Sequence, residues 1–415
     1  MFSLNFGEAE IRGRELADIV DLAVARRASS RDAAVARGRT AGVVDTAQIP
    51  LASVDSGDWR ALSDRAVEPN AYYLPDWELA VNATAPGRTD ASVLTARSDD
   101  RLIGLMPVIP LSRATGIPLP ALASAHPYGT LCTPMFDRAM PDDSALGLLQ
   151  AARHAGARAL LMREVALDGA TMKALHAVLR GEGLRARILN WHLRASLDAT
   201  RDADDLLQEA LSGKKLKELR RQRHRLAEHG EVRFDIARKP EEVAAALESF
   251  LKLEASGWKG QRGTALAQVE RDAIFIRRAT QALAATGNCE IVTLAAGDTP
   301  IAAGIVLRHQ TRAFFFKIGI DERFAKYSPG VQLTLELTRH LCADPTIASA
   351  DSTAGPDHPM INPIWRGRFA IGDVLVPLKA NDPVVATIHA ALLARQAARE
   401  AARRGVHLIR AWRKR

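Results

Sequence analysis

The segment AFFFKIGIDERFAKYSPGVQLTLELTRHL, residues 313–341, carries the clearest chemical signal in the chain. An apolar run ends at Ile320, a polar loop follows, and an amphipathic pattern starts beside Pro329 and Gly330. Proline at a first helical position suits a helix start, because its missing N–H would have had no intrahelical acceptor. A strand feeding a loop and then a helix presents free backbone N–H groups and the positive end of a helix dipole, which together bind phosphate. Arg323 and Lys326 add positive charge at the same place, Ser328 adds a hydroxyl, and Gly330 and Val331 open the helix. On spacing alone the segment reads more readily as an ordinary strand-turn-helix with a solvated basic turn.

Three further groups have the right chemistry for proton transfer or orientation. Asp351 stands at the end of an apolar run in ASADSTAGPDHPMINPIW, and His358 follows it as the side chain that titrates near neutral pH. Glu254 is a candidate general base just upstream of Gly257-Trp258-Lys259-Gly260, where Trp258 can lie flat on a ligand and Lys259 can pair with an anion. Each has a plainer reading: an Asp-Ser-Thr turn with a capping bond, a solvated glutamate at a helix end, a tryptophan packed in a turn.

The elements that must position these groups alternate in type. Residues 1–45 form a helical or disordered leader. Two short helices flank the aromatic turn of DWRALSDRAVEPNAYYLPDWELAVNA, and SVLTARSDDRLIGLMPVIPLSR makes a hairpin about Ser98-Asp99-Asp100. Residues 115–134, rich in Pro and Gly, read as loop. A helix, a strand (158–165), a second helix and a strand (186–197) follow. A helix over 202–229 then opens a second pass: a strand at 232–237, two helices, strands at 289–295, 301–307 and 313–320, a helix at 330–342, and strands near 347–351 and 374–378. Such alternation predicts an α/β fold with mixed central sheets flanked by helices, and its recurrence predicts two tandem domains, 46–198 and 199–383, followed by a basic C-terminal helix over 384–415.

The hairpin, the strand at 313–320 and the loop-helix after it resemble the core of a GNAT-type acetyltransferase. LEASGWKGQRGTAL (253–266) and FAKYSPGVQL (324–333) resemble signatures of the acetyltransferases of bacterial cellulose and exopolysaccharide biosynthesis, a group similar to the Fem-type aminoacyl transferases with their duplicated GNAT folds. YYLPDWELA and HPYGTLCTPMFD look like degenerate counterparts in the first half. The resemblance implies a bacterial acyltransferase that takes acetyl-CoA or another acyl-CoA as co-substrate. It implies pantetheine held at Ile318 and Ile320, the pyrophosphate cradled by Arg323, Lys326, Ser328, Gly330 and Val331, and an acceptor near Trp258, Lys259 and Trp365, with Asp351, Glu254 and His358 as catalytic candidates. The GNAT phosphate loop usually reads Gln or Arg, two residues, Gly, one residue, then Gly or Ala. Here Arg323, Lys326 and Ser328 stand at those places. Relatives often carry a basic residue before the tryptophan matching Trp365; the stretch here, His358-Pro-Met-Ile-Asn362-Pro-Ile, implies a different acceptor.

Composition narrows the remaining classes. The formal net charge is +8 over 415 residues, concentrated in KKLKELRRQRHR (214–225) and RRGVHLIRAWRKR (403–415). Lys214, Lys217, Arg221 and Arg225 share one helical stripe, but no aromatics interleave to stack on bases, so nucleic acid is not the expected partner. Leu408, Ile409 and Trp412 among arginines give the C-terminal helix a short face for peripheral contact with an anionic membrane. No G-x-S-x-G, H-E-x-x-H, Walker or G-x-G-x-x-G pattern occurs, and the three cysteines lack ligand spacing, so hydrolase and metal chemistry have no support. With neither a secretory signal nor a spanning apolar run, a cytoplasmic enzyme is expected, acting on a saccharide or cell-envelope precursor. A Fem-like aminoacyl transferase and a non-catalytic binding protein of the same fold stay open as alternatives.

Overall fold

Hairpins closed by two-residue turns set up each end of the sheet. Strands β2 (Ser92–Ser98) and β3 (Arg101–Pro110) meet through Asp99 and Asp100, both at positive φ (47° and 63°). Strands β9 (Cys289–Ala296) and β10 (Thr299–His309) meet through Gly297 and Asp298, with Gly297 at φ 58°. Tight turns that open at positive φ match the natural twist of the flanking strands. Gly230 lies against the second turn so closely that a Cβ there would stand 2.6 Å from the Gly297 nitrogen. The computed structural model describes residues 44–85, 90–125 and 128–412, with side chains omitted at 258, 259, 403 and 405–412. The leader over 1–45 and the apolar face of Leu408, Ile409 and Trp412 thus lie outside what is described, except for the first residues of β1.

Two passes of the chain follow the same path. The first runs β1 (Val44–Pro50), α1 (Ser56–Asp64), α2 (Pro75–Thr84), β2, β3, β4 (Ala121–Ser124), β5 (Met135–Phe136), α3 (Pro141–His154), β6 (Ala159–Ala166), α4 (Ala170–Gly181) and β7 (Arg187–Asp198). After α5 (Ala203–Ala210) and α6 (Gly213–Leu226), the second runs β8 (Val232–Ala237), α7 (Pro240–Ser256), α8 (Glu270–Ala285), β9, β10, β11 (Arg312–Ile320), α9 (Pro329–Ala343), β12 (Ser349–Asp351) and β13 (Gly367–Pro377), then α10 (Pro383–Trp412). Each pass contains one parallel pair bridged by a crossover helix, β4–β6 through α3 and β11–β12 through α9.

All these strands join one mixed sheet in the order β1-β2-β3-β4-β6-β13-β7-β12-β11-β10-β9-β8, with β5 beside β3. The order is a palindrome about the β13–β7 pair. Each pass sends its last strand across the centre: β13 pairs antiparallel with β6, and β7 pairs antiparallel with β12. On one face α1, α2, α7 and α8 share a core in which Trp77 makes edge contacts with Tyr72, Phe275 and Phe316. On the other, α9 and Trp365 pack with α5 and α6.

Two expectations change. The stretch 115–134 is not all loop, since the small residues of β4 pair with both β3 and β6. Nor is 202–229 one helix: Leu211 is extended and Ser212 accepts from the Lys215 N–H, a preferred start that divides α5 from α6.

His309, at the end of β10, ties the two passes together. Its Nδ1 accepts the Asn70 N–H at 2.8 Å and its Nε2 lies 3.0 Å from the Ser63 carbonyl, an arrangement that needs a neutral ring. Burial pushes its pKa down from 6.5 to about 4, with nearby Arg138 acting in the same direction and Asp64 and the Ser63 carbonyl against it. The unfolded chain therefore binds the extra proton between these values. This contribution to stability is full above pH 6.5 and is lost as pH falls toward 4, a difference of roughly 3 kcal/mol. Urea unfolding from pH 7 to pH 4 should show this loss, and His309→Gln should flatten it; an unchanged acid limb in the variant would contradict the assignment.

Candidate active site

Strand β11 forks from β12 in the second pass. The two pair only from Arg312↔Ser349 to Phe314↔Asp351, while β11 continues to Ile320 along β10. The β10–β11 register shifts between Ile305 and Val306, leaving Phe316 as an extra residue on β11. Such a bulge bends the strand and re-aims its carbonyls. At the fork the Thr353 hydroxyl donates to the Phe315 carbonyl at 2.7 Å, and the Thr353 N–H binds Asp351 Oδ1 at 2.9 Å. Beyond it, residues 316–320 have a strand partner on the β10 side alone among the described residues. Ile318 and Ile320 stand here, half-buried.

The loop after β11 folds as a short 3-10 turn, Glu322–Tyr327, capped by Asp321. Arg323 is 79% exposed and spends its guanidinium on Asp321, holding that carboxylate below its usual pKa. Lys326 is exposed, with its ammonium 4.9 Å from the Tyr327 ring centre. Ser328, at φ 55°, leads into Pro329 at the head of α9, and the Gln332 N–H donates to the Ser328 carbonyl at 3.0 Å. The amides of Gly330 and Val331 precede that bond, where a helix leaves its N–H groups without intrahelical acceptors. No acidic residue occupies the first turn of α9. Gly330 is needed for close approach: a Cβ would sit 2.9 Å from the Met360 sulfur and 3.5 Å from Ile318 and Ile320. Fork, loop and helix start thus meet at one place.

The matching region of the first pass is closed. There the chain itself fills the gap beside β6: the Cys132 N–H bonds to the Glu164 carbonyl at 2.9 Å, the Thr133 hydroxyl receives the Ala166 N–H at 3.0 Å, and β5 lies on β3. Asp142 and Asp143 occupy the first turn of α3. Their charge suits the helix dipole but repels an anion.

Burial decides what the remaining candidates do. Asp351 is 1% exposed, and its Oδ2 receives Arg194 Nη2 from β7; Arg194, equally buried, also donates to the Thr130 carbonyl at 2.7 Å. Glu254 is 3% exposed, accepts the Leu266 N–H at 3.0 Å, and lies 3.7 Å from Lys317 on β11, which fastens α7 to the fork strand. Both carboxylates are therefore held by protein groups. Half-buried His358 has its pKa lowered by burial and receives the Met360 N–H at 3.4 Å, on the helix-start side of the fork. Trp365, expected at a substrate, is fully buried and donates to Thr338 Oγ1 at 2.9 Å. It anchors 358–365 to α9 and presents no face to a ligand. The backbone of Trp258 and Lys259 is helical, and their side chains are outside those described.

Arg194 and Tyr72 were not picked out from sequence. Neither had a signal: Arg194 sits in WHLRASLD as one polar residue in an alternating strand, and Tyr72 in a turn rich in aromatics.

Residues 213–358 match the family model for an acetyltransferase (GNAT) domain. No curated protein matches the sequence. Among solved structures, FemX is similar at TM-score 0.54 and 10% identity, over 82% of this chain and 99% of that one, which shows a shared fold. L-PGS from Bacillus licheniformis matches at TM-score 0.45 and 13% identity, over 79% and 98% of the two chains. A tandem GNAT protein from the clavulanic acid biosynthesis pathway matches at 0.40 and 14%, over 82% and 100%. The matched domain contains the fork, the loop and the start of α9.

The Arg194–Asp351 pair gives a direct test of this geometry. Removing one partner leaves the other charge buried, at a cost of about 3–5 kcal/mol, whereas replacing both with apolar groups restores most of it. Arg194→Met should therefore lower urea stability by that amount and Arg194→Met/Asp351→Leu by much less. A single variant within about 1 kcal/mol of wild type would show the pair to be solvated.

Proposed function

We propose that the protein is an acyltransferase that takes its acyl group from CoA at the fork between β11 and β12. The observation carrying this reading is the convergence of three features within the matched domain: a strand that leaves β12 beyond Phe314, a bulge at Phe316, and a helix start with no acid in its first turn. The side of residues 317–320 that pairs with no described strand suits the extended pantetheine arm, which carries amide groups that can bond to a strand. The amides of Gly330 and Val331, with Lys326 beside them, suit the pyrophosphate. A thioester carbonyl lying at the bulge meets fixed backbone dipoles, and holding donor and acceptor together supplies much of the rate gain expected of such an enzyme.

The chemistry is direct attack of an amine or hydroxyl on the thioester. A saccharide or cell-envelope precursor is the acceptor class that the likeness of 253–266 and 324–333 to polysaccharide-pathway acetyltransferases supports. No helix among the described residues is long and apolar enough to cross a membrane. On the second reading, aminoacyl transfer from a tRNA carrier, no CoA thioester would be held at the fork.

Acetyl-CoA at a hundred times its dissociation constant should stabilise the protein by about 2.7 kcal/mol and raise its melting midpoint. Lys326→Glu should weaken binding severalfold, by a margin that shrinks as salt is raised. Titration calorimetry with no heat from any CoA thioester overturns the proposal, and transfer from aminoacyl-tRNA by the same protein would establish the alternative.

A further inference from the structure

With Asp351 and Glu254 committed to protein partners, the group that activates an acceptor lies elsewhere. The centre of the sheet holds an unassigned set of side chains. On β7, His192 and Arg194 are two residues apart and so share a face. Their cross-strand partners on β13 are Ile371 and Phe369, and Asp373 comes next along that face. Asp373 Oδ1 accepts the Glu164 N–H at 3.0 Å across to β6. Glu164 is held at φ 48°, a conformation uncommon for glutamate, at the point where its strand departs from regular pairing with β13. His192, Glu164 and Asp373 are half-buried, open enough to meet a ligand.

A second observation points to a ligand at the inner end of this row. The Tyr72 hydroxyl is fully buried, lies near the Thr130 and Thr353 hydroxyls in the field of Asp351 and Arg194, and has no hydrogen-bond partner. Thr130 Oγ1 and Arg194 Nε are likewise buried and unpartnered. Buried donors are nearly always satisfied, so three at one spot indicate a place made for a polar group. Thr353, which touches the Phe315 carbonyl, links that spot to the fork.

We propose that this row is the acceptor subsite and that the acceptor is a primary amine, its ammonium group received by Glu164 and Asp373 and deprotonated by His192. The inference rests on the acyltransfer reading and names its substrate class. Two carboxylates beside a half-buried imidazole select a cation over a neutral hydroxyl. The buried donors Tyr72, Thr130 and Arg194 take oxygen atoms carried next to the amine. His192 removes one proton from the ammonium and passes it to solvent. The amine nitrogen then bonds to the thioester carbon, the carbon–sulfur bond breaks, and the leaving thiolate takes the second nitrogen proton, giving an amide and a free thiol.

The charges facing His192 are Arg194, Asp373 and Asp351, with Glu164 beside them. Burial and Arg194 lower the pKa of His192, against the pull of the two aspartates, which keeps its ring neutral and able to accept a proton at pH 7. The same burial, with Asp373, raises that of Glu164.

The test is an NMR titration of the His192 ring signals, assigned by their loss in His192→Gln, with glucosamine and with glucose as its neutral counterpart. Glucosamine should shift the signals and lower the His192 pKa reversibly, since a cation seated on the carboxylates disfavours the imidazolium; glucose should not, and Glu164→Gln and Asp373→Asn should each abolish the response while circular dichroism shows the fold intact. With acetyl-CoA present, His192→Gln should lower kcat/KM for thiol release with amine acceptors about 10²–10⁴-fold and remove the limb of the pH profile that His192 sets. Signals unmoved by glucosamine, or moved equally by glucose, overturn the subsite. Calorimetry of acetyl-CoA with the wild-type protein separates the two claims: CoA heat without an amine response at His192 sinks the acceptor assignment alone, and absent CoA heat sinks the acyl-CoA reading.

Discussion

The central antiparallel pair β7–β13 is the constraint on which the rest of this structure depends. Each pass of the chain could have closed its own sheet, but each instead lends its last strand to the other. The exchange makes one continuous sheet, sets α1 and α2 beside α7 and α8 in a single aromatic core, and brings residues distant in sequence to one face. Arg194 arrives on the strand lent by the first pass and meets Asp351 from the second. Neither charge would be tolerable so deep without the other.

The two passes share a path but not a chemistry, and the difference is local. In the first, residues 130–136 occupy the gap beside β6, and two aspartates sit at the following helix start. In the second, the gap remains a fork and the helix start carries no acid. The fork and the acid-free helix start thus belong to the second pass, and their counterparts in the first are filled or acidic. Glu254 and Lys317 belong to this support, since their contact fixes the helix that lies on the fork strand, and Gly319 permits the approach: a Cβ there would stand 2.9 Å from the Glu254 nitrogen.

Much of this was legible in the sequence because it is local. The 2- and 3.6-residue periods, the Asp99-Asp100 and Gly297-Asp298 turns and the Pro329 start mark elements without regard to their neighbours, and the mixed α/β architecture with helices on its faces follows from them. Strand β4 was missed because ALAS is short and flanked by Pro and Gly, so only its partners on both sides make it a strand. The division of α5 from α6 lay in Ser212, a cap inside a run otherwise helical. What sequence could not reveal was pairing across the centre. Asp351, Glu254 and Trp365 were found as residues, but their occupations are set by Arg194, Lys317, Leu266 and Thr338, of which Leu266 alone lies within the same short segment as its partner.

The lent strand also bears on how the protein comes into being on the ribosome. Strands β6 and β7 are finished by Asp198, yet the segment that must lie between them, Gly367–Pro377, is translated only after the whole second pass. Until it emerges β6 and β7 of the nascent first half carry open strand edges, the kind of surface that seeks another chain. Slow closure of so non-local a contact is expected on topological grounds. Synthesis rate and chaperone cover over that interval would then govern the yield of active protein as much as the stability of the finished fold.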